Sequence, residues 1–179
     1  MDIKLKPDAE IRENVLMNKV YTKLHKALCD MQATNIGISF PNHKIKLGNV
    51  IRAHSVDLRL KELQGSNWLG GLVGYCEISE ILPVPGKVKY RTVSRKQANM
   101  TAAKLRRLKK RGSITNAEVK KYKAKMFAQG LGNPYVELKS LSNGHMHRRY
   151  IEFGDLKERP VEGVFDKFGL SKVTTIPWF

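Results

Sequence analysis

Within residues 1–85 the spacing of apolar side chains switches between a period of two and a period near 3.6, and this alternation narrows the fold more than any other feature. DIKLKP places Ile3 and Leu5 on alternate positions and stops at Pro7, a short strand. From about Glu13 to Gln32 the pattern is helical. On a wheel of about 100° per residue, Leu16, Met17, Val20, Tyr21, Leu24, Ala27, Leu28 and Met31 share one arc. NIGISFP (Asn35 to Pro41) and GNVIRAHS (Gly48 to Ser55) read as strands, and VDLRLKEL suits a short helix. YCEISEILPVP (Tyr75 to Pro85) alternates and ends in prolines, a strand followed by a turn. Strand, helix, strand, strand, helix, strand is the βαββαβ order of a ferredoxin-like fold, with helices packed on a sheet.

PVPGK then breaks the pattern, and YRTVSRKQ leads into a strongly basic segment. The reading is an α+β chain. A ferredoxin-like domain spans residues 1–92, and a smaller α+β domain with an arginine-rich helix spans 93–179. In the second part, Thr115 and Glu118 have capping-box spacing, and Ile114 and Val119 have the spacing of a hydrophobic staple. Gly130 is placed to cap the end of that helix. NPYVELKSLS and HMHRRYIEFG read as two strands joined around Ser142, Asn143 and Gly144. No internal repeat or low-complexity segment interrupts the 179 residues.

Charge then separates the two parts. The chain carries a net charge of +17, with a pI near 10.0. Residues 1–92 hold 14 cations and 9 anions, whereas residues 93–179 hold 19 and 7. Such an excess destabilises a compact chain by self-repulsion and points to a polyanionic partner bound mainly by the second part. Nucleic acid fits better than an anionic membrane. No apolar run approaches the roughly 18 residues of a spanning helix, and no basic segment precedes an apolar one as in a secretory signal. The expected address is the cytoplasm. Cys29 and Cys76 lie far apart in no metal spacing and read as packed thiols in a reducing compartment.

TAAKLRRLKKRGS concentrates the charge. With Leu105 at the wheel origin, Leu108 and Ala102 flank it, whereas Lys104, Arg106, Arg107, Lys110 and Arg111 spread over the opposite side and Lys109 sits beside the apolar stripe. A narrow apolar anchor and a wide cationic face suit repeated phosphates, and arginine also chelates guanine edges. This pattern alone leaves RNA and DNA both open, because the A-form major groove is narrow except near helix ends and short hairpins.

Candidate chemistry is sparse. His25 falls just past the edge of the first helix's apolar arc, beside Tyr21 and Cys29, where an imidazole with an ordinary pKa near 6.5 serves as acid or base. On this pattern alone a plain surface histidine is the more common outcome. Ser140 and Ser142 sit in a strand-to-turn segment and suit turn chemistry. His145 and His147 share a strand face but lack the further ligands of a metal site. The sequence contains no phosphate-binding P-loop, carboxylate cluster or zinc motif.

Five segments in order, KLHKAL, ISFP, VSRKQAN before the arginine-rich helix, KSLSNG, and GLSK followed by PWF, resemble the CRISPR repeat-processing endoribonucleases of type I-F systems along essentially the whole chain. The resemblance implies an enzyme that binds the hairpin of a CRISPR repeat. It cuts at the 3′ base of the stem and stays on the mature CRISPR RNA as a subunit of the interference complex. It implies a reaction without metal or cofactor, in which the RNA's own 2′-hydroxyl attacks the adjacent phosphate to give a 2′,3′-cyclic phosphate and a 5′-hydroxyl. On the matching positions, His25 would be the acid–base group and Ser140 would hold the ribose of the attacking nucleotide. Arg95 and Gln97 would read bases at the foot of the stem, since arginine pairs with guanine and glutamine with adenine. Arg107, Lys110 and Arg111, with Lys104 and Arg106 beside them, would form the RNA face of the basic helix. Ser142 and His147 would complete the binding surface. Two positions depart from the family pattern. Phe168 stands where a tyrosine is expected, so the orientation of His25 must come from packing or another partner. His147 stands where a stacking phenylalanine is expected. An imidazole there still stacks on a base, and also brings a second titratable ring. A non-catalytic RNA-binding assembly subunit explains the charge equally well and needs no site, and a duplex-DNA binder is the third reading.

Overall fold

The computed structural model describes residues 1–97, 102–130, 132–139 and 144–179, with the backbone alone for 127–130. The chain is α+β, with antiparallel sheets and helices in the order expected for a ferredoxin-like first part. Strands β1 (Asp2–Leu5), β2 (Gly37–Ser39), β3 (Val50–His54) and β4 (Cys76–Ile78) form one sheet in the order β2-β3-β1-β4. Helix α1 (Glu13–Asp30) crosses between β1 and β2, and α2 (Asp57–Gly65) lies between β3 and β4, followed by a 3-10 turn at Gly70–Tyr75. The apolar arc of the sequence is the buried face of α1: Leu16, Met17, Val20, Tyr21, Leu24, Ala27 and Leu28. They pack with Ile3, Ile38, Ile51, Leu60 and Leu63 in one cluster. Each such aliphatic side chain contributes about 1.5–3 kcal/mol on burial.

Strand β4 is shorter than the YCEISEILPVP pattern suggests. Ile78 is opposite Ile3, and one further bond joins the Ser79 N–H to the Asp2 carbonyl. Pro83 and Pro85 further along lack the N–H donors that would extend the pairing.

The rest of the chain closes around this unit by pairings of long sequence separation. Strand β5 (Lys89–Arg91) pairs with the terminal β9 (Ile176–Trp178). Strands β6 (Val93–Lys96), β7 (Tyr135–Lys139) and β8 (Met146–Phe153) form a second antiparallel sheet in the order β6-β8-β7. Lys139 stands opposite Met146 where the two strands meet the segment expected to turn, of which residues 140–143 lie outside the described residues. Val93, Val136, Leu138, Ile151, Leu170 and Ile176 all join the apolar cluster of the first sheet. Asn18 on α1 ties the two sheets together by accepting the Glu137 N–H at 3.0 Å.

Helices α3 (Ala102–Lys110) and α4 (Asn116–Gly130) form a hairpin with its own small core of Leu105, Val119 and Tyr122, against which Leu108, Ile114 and Met126 pack. The capping box is formed in full. Thr115 N–H donates to Glu118 Oε2 at 2.8 Å, and Glu118 N–H donates to Thr115 Oγ1 at 3.3 Å. Gly112, at φ +66°, ends α3 by letting the Ser113 N–H reach back to the Leu108 carbonyl.

His54 gives the fold a specific acid sensitivity. Its Nε2 lies 2.8 Å from Ser39 Oγ. Burial first, then the charges of Arg52 and the N-terminal ammonium, push its pKa down to about 3. Its contribution to stability is complete above the ordinary value near 6.5 and is lost as pH falls through the interval towards 3. Chemical denaturation at pH 7 and pH 5 should show the loss, up to about 1.4 kcal/mol for each pH unit from this one group. His54→Gln should flatten the dependence, and an unchanged slope would contradict this account of the ring.

Candidate active site and nucleic-acid interface

The tight turn Asp166–Leu170 brings chemistry to α1. Asp166 Oδ1 accepts the N–H groups of Phe168 and Leu170 at 2.8 and 3.0 Å, and the Gly169 N–H donates to the Asp166 carbonyl. Gly169 has φ +70°, and a Cβ there would meet Ile38 Cγ1 at 2.3 Å and the Ile36 carbonyl oxygen at 3.1 Å. Its carbonyl accepts the Ile38 N–H, which fastens the turn to β2. The glycine of GLSK is thus required twice, for its backbone angle and for its lack of a side chain. Gly169→Ala should move the turn or destabilise the chain by several kcal/mol, since both strain and overpacking act there. Thermal unfolding checks this, and a variant with wild-type stability and an unmoved turn would contradict it.

The same turn orients His25. The imidazole Nδ1 lies 2.7 Å from the Lys167 carbonyl oxygen. A carbonyl only accepts, so Nδ1 carries the proton and the lone pair of the neutral ring is on Nε2. The Phe168 ring stacks on the imidazole with centroids 3.5 Å apart and planes 10° from parallel. The partner that the missing tyrosine hydroxyl leaves unspecified is therefore a backbone carbonyl together with a flat ring. Cys29 Sγ lies 3.6 Å from Nδ1. Burial lowers the His25 pKa below its ordinary value, partly offset by the Lys167 hydrogen bond, and the nearby Arg149 charge lowers it further. The ring is therefore neutral near pH 7, with a base at Nε2.

Tyr21 supports the assembly from below. Its hydroxyl donates to the Phe168 carbonyl at 2.8 Å, and its ring lies 6.3 Å from that of Phe168. Burial raises the Tyr21 pKa, so the phenol stays protonated. The opposite side of Phe168 is covered by Arg149, whose guanidinium carbon lies 3.5 Å from the ring centroid. His25 and Arg149 are equally close to the same ring, so they occupy opposite faces. Arg149 is 8% exposed, and burial holds its pKa below the usual guanidinium value.

Arg95 and Gln97 reach the same place from β6. Arg95 stands opposite Ile151 in the β6–β8 ladder, so it shares a sheet face with Ile151, Arg149 and His147. With Ser94, Phe165, Asp166 and Lys172, the side chains of Arg95, Gln97 and Arg149 line a groove of about 460 Å³. The residues expected to read bases thus adjoin the His25–Phe168–Arg149 stack. His147 is exposed at the outer end of that face, opposite Leu138. Ser140 and Ser142 lie outside the described residues.

The basic helix has the faces expected of it. Leu105 is buried and Leu108 packs against α4, whereas Lys104, Arg106, Arg107, Lys109, Lys110 and Arg111 are exposed. Arg106, Arg107, Lys110 and Arg111 form no ion pair among the described residues. No group of three or more His, Cys, Asp or Glu placed to hold a metal ion occurs among the described residues, and none of their helices is long and apolar enough to cross a membrane.

Arg149, Asp166, the Lys167 carbonyl and Lys172 were not singled out in the sequence. Arg149 alone had a signal: in HMHRRYIEF it falls on the same alternation as Ile151 and Phe153, a cation on an apolar period. The carbonyl and Asp166 act through backbone geometry that residue identity does not reveal.

Comparison with known proteins supplies the family. The model of the CRISPR-associated protein family Cas_Csy4 matches residues 1–179. A protein of Escherichia coli (strain UTI89 / UPEC) named CRISPR-associated endonuclease Cas6/Csy4 is 36% identical over 180 residues, covering 100% of this chain and 98% of the relative. A protein of the same name from Pseudomonas aeruginosa (strain UCBPP-PA14) is 37% identical over 183 residues, with the same coverage. With a family match from end to end and similarity across nearly the full length of both relatives, the chain belongs to the Cas_Csy4 family of CRISPR-associated proteins.

Proposed function

We propose that the protein is the endoribonuclease that processes precursor CRISPR RNA, binding the repeat hairpin and cutting once at the 3′ base of its stem. The observation that carries the reading is His25, a neutral imidazole whose proton is fixed on Nδ1 by the Lys167 carbonyl and whose Nε2 lone pair is left as a base. Both relatives bear the name endonuclease, which supports the reading. Nε2 takes the proton of the 2′-hydroxyl beside the scissile phosphate. The 2′ oxygen forms a bond to phosphorus, the bond to the 5′ oxygen breaks, and that oxygen leaves as a 5′-hydroxyl after taking up a proton. The other product ends in a 2′,3′-cyclic phosphate. The substrate supplies the nucleophile, so the step itself calls for no metal or cofactor. Ser140 would hold the attacking ribose and Ser142 would contact the RNA, while Phe168 backs the imidazole of His25.

In this reading Arg95 and Gln97 bind bases at the foot of the stem. Lys104, Arg106, Arg107, Lys110 and Arg111 follow its phosphates, and His147 stacks at the edge of the site. The ferredoxin-like part, residues 1–92, carries the base, and residues 93–179 carry most of the RNA-binding surface. After the cut the protein stays on the mature CRISPR RNA as a subunit of a type I-F complex in the cytoplasm. Incubation with the repeat RNA should give one cut and a retained hairpin. Binding without cutting would instead support a non-catalytic assembly subunit, and preference for DNA of the same stem sequence would overturn the RNA reading.

The cationic helix makes affinity depend steeply on salt. For a B-form duplex the logarithm of the affinity falls with that of salt by up to about 0.9 per neutralised phosphate, and an RNA stem should follow the same trend. Lys110→Ala should flatten the slope by about one contact, and an unchanged slope would remove Lys110 from the interface.

A further inference from the structure

Arg149 is a buried cation that the fold alone does not satisfy. Its side chain is 8% exposed, its Nε has no hydrogen-bond partner among the described residues, and its guanidinium forms no ion pair among them. Removing a charge from water without a partner is unfavourable. The groove it lines adds two more cations, Arg95 and Lys172, and one carboxylate, Asp166. That carboxylate is occupied: its Oδ1 holds the N–H groups of Phe168 and Leu170 and so builds the turn. After burial, Tyr21 favours the Arg149 charge, Arg95 disfavours it and Asp166 favours it, and an anion in the groove would offset the Arg95 repulsion. The Phe168 ring has Arg149 on one face and His25 on the other, so an anion bound by Arg149 would lie one ring away from the imidazole.

We propose that Arg149, with Lys172 at the rim of the groove, forms a subsite for one backbone phosphate of the bound RNA next to the cut. This rests on the endoribonuclease reading and adds to it a specific contact. The guanidinium carbon rests 3.5 Å from the centre of the Phe168 ring, and a phosphate in the groove would give the guanidinium the anionic acceptor that the described residues do not supply. Charge-assisted hydrogen bonds of this kind are among the stronger ones. The subsite places the strand by charge, without reading sequence, beside the pair that reads the bases. It also couples position to chemistry: a phosphate that draws on Arg149 bears directly on the far side of the ring that holds His25.

The test uses the full chain and its repeat RNA, carrying a single uncharged methylphosphonate at each linkage around the cut in turn. Binding and single-turnover cleavage are measured for wild type, Arg149→Met and Arg149→Lys. One linkage should cost wild type about 10- to 100-fold when neutralised, the range for a charged hydrogen bond. At that linkage Arg149→Met, already weakened on the natural RNA, should lose almost nothing more, since the two changes remove the same contact. Arg149→Lys should keep part of the sensitivity. Equal penalties for wild type and Arg149→Met at every linkage would overturn the subsite and leave Arg149 a packing residue or a reader of a base edge. If Arg149→Met fails to fold, the decision falls to Arg149→Lys. Intermediate sensitivity at a single linkage supports the subsite, and an unaltered wild-type pattern at every linkage overturns it. If wild type binds the repeat but leaves it uncut, the endoribonuclease reading falls while the binding scan still decides the phosphate contact.

Discussion

His25→Ala should bind the repeat hairpin with nearly wild-type affinity and cut it about 10²–10⁴-fold more slowly under single-turnover conditions, the usual contribution of positioned proton transfer. The two effects separate because the residues sit on different elements. His25 projects from α1, whereas the cations of α3 and the groove residues Arg95 and Gln97 belong to the second part of the chain. The loss on substitution should come from chemistry, since the imidazole is tied to the Lys167 carbonyl and, more weakly, to Cys29 Sγ, and the buried stretch of α1 beneath it is unaltered. The same experiment on His147→Ala discriminates the two rings. His147 is exposed on β8, and its loss should weaken stacking on RNA without removing the base. Normal cutting by His25→Ala with failure of His147→Ala would move the acid–base role to His147. Loss of binding in His25→Ala would make His25 a structural residue.

The pH dependence of the wild-type rate follows from the same geometry. Burial lowers the His25 pKa, so the base form is reached below the ordinary value near 6.5 and the rate should already be on its plateau near pH 7.

Much of this fold was legible because its signals are local. The α1 arc, the alternation of Ile3 and Leu5, the Thr115–Glu118 capping box and the Leu105–Leu108 anchor are each written within a few residues. What could not be read depends on pairing across long separations. Lys89–Arg91 carries no pattern that announces a partner at Ile176–Trp178, and β6 becomes a strand because β8 lies beside it. The candidate site divides in the same way. His25 stood out by residue type and by its place at the rim of the helix face. The Phe168 position was legible only as a departure from a family pattern, and its consequence needed coordinates: the hydroxyl that is missing is replaced by the carbonyl of the preceding residue. Arg149 looked like one more cation in a basic half. Only its burial against Phe168, without an ion-pair partner among the described residues, sets it apart from the exposed arginines of α3.

The central claim is that the RNA supplies its own nucleophile, and one substituted atom tests it. A repeat RNA with a single 2′-deoxy nucleotide immediately before the cut keeps its hairpin, its phosphates and the base edges that Arg95 and Gln97 would read, so it should bind nearly as well as the natural RNA. It lacks the oxygen that His25 Nε2 would deprotonate, so cleavage at that linkage should be abolished, whereas the all-ribose RNA should be cut in the presence of a chelator. The measurement is gel-resolved single-turnover cleavage of both RNAs in chelator, with binding measured in parallel. The account predicts that only the all-ribose RNA is cut and that the two bind alike. Cleavage of the 2′-deoxy RNA at the same linkage, or an all-ribose RNA cut only when magnesium is restored, would contradict it.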